Sequence, residues 1–142
     1  MIVPDVNVLI YAFREEQPDH GRYREWLTAA LAGDEPVALP GHVLSGFMRI
    51  VTSPRVFASA TPPDEAARYV VALRSAPGAV TPRLADSHVD TFLRLCVEVN
   101  AKGNLVADAY LAAIAIGLDA LLVTSDRDFA RFPGLRWRHP LS

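Results

Sequence analysis

The segment NLVADAYLAAIAI, residues 104–116, runs almost directly into DALLVT, residues 119–124. Its length and apolar periodicity predict a helix from Asn104, as its cap, to about Gly117, and a strand over Ala120–Thr124. Neither element has a polar face of any size, so both must be buried on two sides. For a strand, that means the interior of a parallel sheet covered by helices. A helix leading into a parallel strand runs antiparallel to it, which places the helix's first turns at the carboxyl edge of the sheet. Asp108 is the one charge between Leu105 and Ile116 and lies about one turn inside this helix. An uncompensated carboxylate there costs several kcal/mol, so Asp108 needs a cation, a proton or a chemical task.

The same alternation extends along the chain. Strands are predicted at Ile2–Pro4, Val37–Leu39 and Ala79–Thr81. Helices are predicted over Val6–Phe13, His20–Ala32, Gly41–Val51, from a Thr61 cap to about Arg74, and from Asp86 or Ser87 to Glu98 or Val99. Short apolar strands separated by helices give an α/β fold with a parallel sheet between helical layers. The sequence is 51% hydrophobic over 142 residues and contains no repeat or linker tract, which predicts one domain over 1–142.

Composition removes several classes. Asp108, Gly117 and Asp119 divide the apolar run Leu105–Val123, so a membrane span is not expected. Cys96 is the single cysteine, which rules out an intrachain disulfide framework. With an N-terminus that lacks a basic leader and carries Asp5, this predicts a cytoplasmic protein. A net charge of −2 gives no bulk attraction to nucleic acid, although all but one of the 14 basic residues are arginine. The histidines lack zinc-site spacing.

In parallel α/β sheets, sites form beyond the carboxyl ends of the strands. Asp5 follows the first strand, Asp126 stands two residues after the last predicted one, and Asp128 is close behind. Each has a plain structural reading. Asp5 can cap the next helix, Asp126 and Asp128 can be turn residues, and Asp108 can interact with its helix dipole for ~0.3–1 kcal/mol. Topology nevertheless brings all four to one edge, where like charges raise each other's pKa unless a cation joins them. Oxygen ligands of this kind suit Mg²⁺ or Mn²⁺, and such a site serves attack of water on a phosphodiester.

Four segments, DVNVLIYA at 5–12, MRIVTSPRVF at 48–57, GNLVADAYLAAIA at 103–115 and LLVTSDRDFARFPGLRW at 121–137, resemble PIN-domain proteins. They are most similar to VapC toxins of bacterial VapBC modules, in order and spacing over essentially the whole chain. The resemblance implies a three-layer α/β/α sandwich and a Mg²⁺- or Mn²⁺-dependent endoribonuclease acting on RNA. It also implies a VapB-type antitoxin partner and a homodimer or larger assembly. By the same resemblance, Asp5, Asp108 and Asp126 match the catalytic and metal-binding acids. Asp128 matches a frequent additional acid, and Asn7 and Thr124 match residues that steady the first Asp.

The chain departs from the family pattern in one place. A Glu common on the helix after the second strand aligns with Gly46, and no acid lies between Glu35 and Asp64. One divalent ion on Asp5 and Asp108, with Asp126 and Asp128 assisting directly or through water, is therefore expected. The alternative is a catalytically degenerate PIN domain that binds RNA or antitoxin without cutting. A haloacid-dehalogenase-like phosphotransferase would need an acid where Asn7 stands, and a receiver domain would need a lysine that Lys102 is badly placed to supply. His42 and Ser45 lack a nucleophile elbow and are read as structural. Arg49 and Arg55 are read equally as phosphate or antitoxin contacts and as fold-stabilising donors. Tyr23 and Trp26 are assigned to the core, and Trp137 to closing the fold.

Overall fold

The structure, a computed structural model, describes all residues, 1–142. Five parallel strands form one sheet: β1 (Ile2–Pro4), β2 (Val37–Ala38), β3 (Ala79–Val80), β4 (Leu121–Val123) and β5 (Trp137–Arg138). Their spatial order is β3-β2-β1-β4-β5. Six α-helices connect them: α1 (Val6–Phe13), α2 (His20–Ala32), α3 (Gly41–Val51), α4 (Pro63–Arg74), α5 (His88–Glu98) and α6 (Asn104–Gly117). A short 3₁₀ helix covers Arg127–Arg131.

The strand order explains the layering. From β1 the chain steps outward through β2 to β3, then returns across the sheet to β4. Right-handed crossovers that step in opposite directions place their helices on opposite faces. Accordingly α1 packs on α2 and α3, and α3 on α4, while α5 packs on α6. The predicted sandwich of a short-stranded parallel sheet between helical layers is thus present.

Burial follows the sequence pattern. Val3, Val37, Leu122 and Val123 are fully buried, and α6 contributes Ala109, Leu111, Ala112, Ala113, Ile114 and Ala115 at 0–2% exposure. The alanines let α6 lie close against its neighbours. No helix is long and apolar enough to cross a membrane.

Three local expectations are corrected. Thr61 does not cap α4: Pro62 is the N-cap residue, and the buried Thr61 hydroxyl instead accepts from Arg14 Nη1 at 3.2 Å. Asn104 is the first residue of α6 rather than its cap. Gly103 takes the cap position at φ +58° and ψ −127°, a conformation that glycine alone adopts freely. Strand β5 was not anticipated: Trp137 closes the fold as an edge strand, with Leu122 opposite Trp137 and Val123 opposite Arg138.

Candidate active site

Asp5 sits where β1 becomes α1. Its backbone N–H donates to the Val123 carbonyl at 2.8 Å, locking the end of β1 to the end of β4. In extended conformation it caps α1, with Oδ1 accepting from the Val6 N–H at 2.7 Å. The plain N-cap reading of Asp5 is therefore correct, yet it uses only one carboxylate oxygen. The other, Oδ2, accepts from the Thr124 hydroxyl at 2.7 Å. Asp5 is 8% exposed, and burial raises its pKa despite these two bonds, with the Asp126 charge adding to the rise.

Thr124 joins three of the expected residues. Its Oγ1 donates to Asp5, accepts the backbone N–H of Asp126 at 3.0 Å, and receives a longer contact from Asn7 Nδ2 at 3.4 Å. Asn7 Oδ1 is left buried without a partner. Asp126 then caps the 3₁₀ helix, its Oδ1 accepting from the Asp128 N–H at 2.8 Å. β1 and β4 are neighbours at the point where the chain's outward path reverses, the topological position at which open α/β sheets bind ligands.

Asp108 enters from α6. It shares with Asp5 a cleft of about 310 Å³, whose far wall is α3. Half-buried, it has its pKa pushed up to about 6, by burial first and then by the charges of Asp5, Asp126 and Asp128. No basic side chain forms an ion pair with it. Two residues on, Tyr110 anchors this end of α6: its hydroxyl meets His88 Nε2 at 2.9 Å and its ring lies 4.9 Å from that of His42. His88 Nδ1 faces the Ala85 carbonyl at 3.0 Å, so in the neutral tautomer Nε2 accepts the tyrosine proton.

These features fit a divalent cation. A half-buried carboxylate whose pKa the Asp5 charge helps to raise, in a cleft it shares with Asp5 and where no cation pairs with it, forms with Asp5 a hard-oxygen donor set. No three His, Cys, Asp or Glu side chains form a ready-made cage. The donor set suits an ion that keeps most of its waters and binds through one or two carboxylates.

On the α3 wall, Gly46 and Arg49 were weighed as site positions from the sequence, whereas His42 and Ser45, read as structural, also line the cleft. His42, Ser45, Gly46 and Arg49 all line the cleft, at spacings of three, four and seven residues that place them on one helix face. That spacing is legible in the sequence. His42 makes no hydrogen bond to Ser45, and burial together with the Arg49 charge lowers its pKa against the opposing effect of the nearby Ala107 carbonyl. A Cβ at Gly46 would stand 2.8 Å from Val6 Cγ2, so Val6 occupies the space that an acidic side chain would need.

Comparison with known proteins agrees with this architecture. A model of the PIN domain family matches residues 2–135. Ribonuclease VapC43 of Mycobacterium tuberculosis is 47% identical over 141 residues, covering 99% of this chain and 96% of that protein. Ribonuclease VapC31 of the same organism is 38% identical over 140 residues, covering 99% of both. Among solved structures, VapBC2 from Rickettsia felis bound to a promoter DNA fragment contains a chain that superposes with a TM-score of 0.73. Identity there is 22%, with 98% of both chains covered. The family match and the full-length relatives lead to one conclusion: the chain belongs to the PIN-domain family, among the VapC ribonucleases.

Proposed function

We propose that this chain, as a single PIN domain over 1–142, is a VapC-type toxin. In this reading it hydrolyses RNA phosphodiester bonds internally with Mg²⁺ or Mn²⁺ and is silenced by a VapB-type antitoxin. The observation that carries the reading is the shared cleft of Asp5 and Asp108, two acids 103 positions apart that β1 and α6 deliver to one carboxyl edge. The names of its relatives support the ribonuclease assignment.

Asp5 and Asp108 would hold the ion, with Asp126 assisting directly or through a water molecule and Asp128 adding negative potential. The ion, when bound, supplies Lewis-acid polarisation of the phosphoryl oxygens and an acidified water. Thr124 fixes the Asp5 carboxylate by donating to Oδ2, leaving that group no rotational freedom. Asn7 steadies Thr124 in turn. In the reaction, the water oxygen bonds to phosphorus and the ester P–O bond breaks. One water proton ends on the leaving ribose oxygen and the other is released to solvent.

The occupied position of Gly46 favours one ion over two, and also sustains the second reading, a domain that binds RNA or antitoxin without cutting. Incubating total RNA with purified protein and Mn²⁺, with and without EDTA, separates the two. Cleavage abolished by EDTA supports the nuclease; intact RNA under every condition supports the binding module. Calorimetric titration is expected to give one Mn²⁺ per chain, and two tight sites would contradict the single-ion arrangement. A homodimer belongs to the same proposal, to be tested by sedimentation at micromolar concentration.

A further inference from the structure

The α3 wall of the cleft carries a cation where the family pattern leads one to expect an anion. A Cβ at Gly46 would meet Val6 Cγ2 at 2.8 Å, so no side chain fits there unless Val6 shifts. Three residues on, on the same helix face, Arg49 lines the cleft that Asp5 and Asp108 enter. Arg49 is exposed, and its guanidinium takes part in none of the side-chain hydrogen bonds or ion pairs of the fold. By contrast Arg14 is fully engaged, bonding Glu16, the Ser59 carbonyl and Thr61. The other basic side chain in the cleft is His42, whose pKa is lowered and which is neutral at pH 7. Arg49 is therefore the one permanent positive charge lining a cleft whose carboxylates are Asp5 and Asp108.

We propose that Arg49 is a catalytic residue that grips the scissile phosphate from the α3 side. Its planar fork carries charge that a second metal ion would supply in a more acidic site. A guanidinium presents paired donors matching two phosphoryl oxygens and keeps its charge at any physiological pH. Charge on those oxygens changes as the water oxygen bonds to phosphorus and the ester bond breaks, and preorganised donors are worth most at that stage. Ser45, one turn earlier on the same face, offers a hydroxyl to the same anion. A purely structural role is the competing account: Arg49 lies in the last turn of α3, where a cation complements the helix dipole.

The inference rests on the nuclease reading, and the test separates their failures. Wild type, Arg49→Ala, Arg49→Lys and Arg74→Ala are compared for kcat and KM on one RNA that the wild type cleaves. Melting temperature and Mn²⁺ affinity are measured alongside. Arg74 is likewise exposed and unpaired, but does not line the cleft. Arg49→Ala is expected to lose about 10²-fold in kcat, with melting and Mn²⁺ affinity unchanged, Arg49→Lys intermediate and Arg74→Ala at the wild-type rate. With a fluorescein-labelled single-stranded RNA in EDTA, Arg49→Ala should flatten the plot of log affinity against log salt by roughly 0.7, one phosphate contact. Wild-type kcat in Arg49→Ala overturns the proposal and leaves the nuclease reading standing. A loss of kcat matched by lost Mn²⁺ affinity or lost folding in both Arg49 variants also overturns it. A wild type that cleaves nothing removes both.

Discussion

Asp108 resists ionisation until about pH 6 because it is half-buried and faces three other carboxylates. An acid whose pKa is raised by folding binds its proton more tightly in the native state than in the unfolded chain. The metal-free protein therefore loses stability as pH rises from about 4 through 6, and the loss is complete above that. Asp108→Asn should melt higher than wild type at pH 7.5 in EDTA and close to it at pH 4.5, as read by differential scanning calorimetry. Mn²⁺ should raise the wild-type melting temperature at pH 7.5 and do far less at pH 5, where the proton competes with the metal. Thr124→Val tests the other acid. It deletes the bond to Asp5 Oδ2 and leaves a buried carboxylate oxygen unsatisfied, a cost of about 1–3 kcal/mol. Lower melting and a loss of cleavage larger than the loss of RNA binding are expected. The positions of these acids were legible because each follows a strand end or interrupts an apolar helix. The orphaned Asn7 oxygen was not legible, since it depends on which way one amide turns.

At the level of elements, α1 and α3 meet where Val6 fills the space over Gly46. Val6 is β-branched and opens α1, so it cannot swing away freely. Gly46→Glu should cost about 1–3 kcal/mol by overpacking. Combined with Val6→Ala, it should regain most of that stability in chemical denaturation. Substitution at 46 alone is thus expected to lower stability without adding a Mn²⁺ site. The helices and four of the strands could be read from periodicity, with boundaries shifted by one or two residues. β2, β3 and β4 each end a residue earlier than predicted and β4 also starts one later, while at helix starts Gly103 and Pro62 hold positions that side-chain capping rules assign to Asn104 and Thr61. β5 was hidden because two residues, Trp137 and Arg138, carry no alternation; its existence depends on pairing with β4.

For the whole molecule, strand order matters more than any single motif. The order β3-β2-β1-β4-β5 puts β1 beside β4, so that Asp5 and Thr124 meet although 119 residues separate them. The return crossover brings α6 back antiparallel to β4, with Asp108 at the same edge. Topology alone predicted this convergence. On α3, Gly46 and Arg49 could be singled out in the sequence, but His42 and Ser45 could not, since neither carries a motif and only the packing of α3 against α6 brings them to the cleft. The central claim is that Asp5 and Asp108 act as one cation-holding pair for RNA hydrolysis. It is tested most directly by measuring cleavage of total RNA in Mn²⁺ by purified wild type and Asp108→Asn, with the fold of each checked by circular dichroism. The account predicts cleavage by wild type that EDTA abolishes, and none by a folded Asp108→Asn protein. Undiminished cleavage by Asp108→Asn would contradict it.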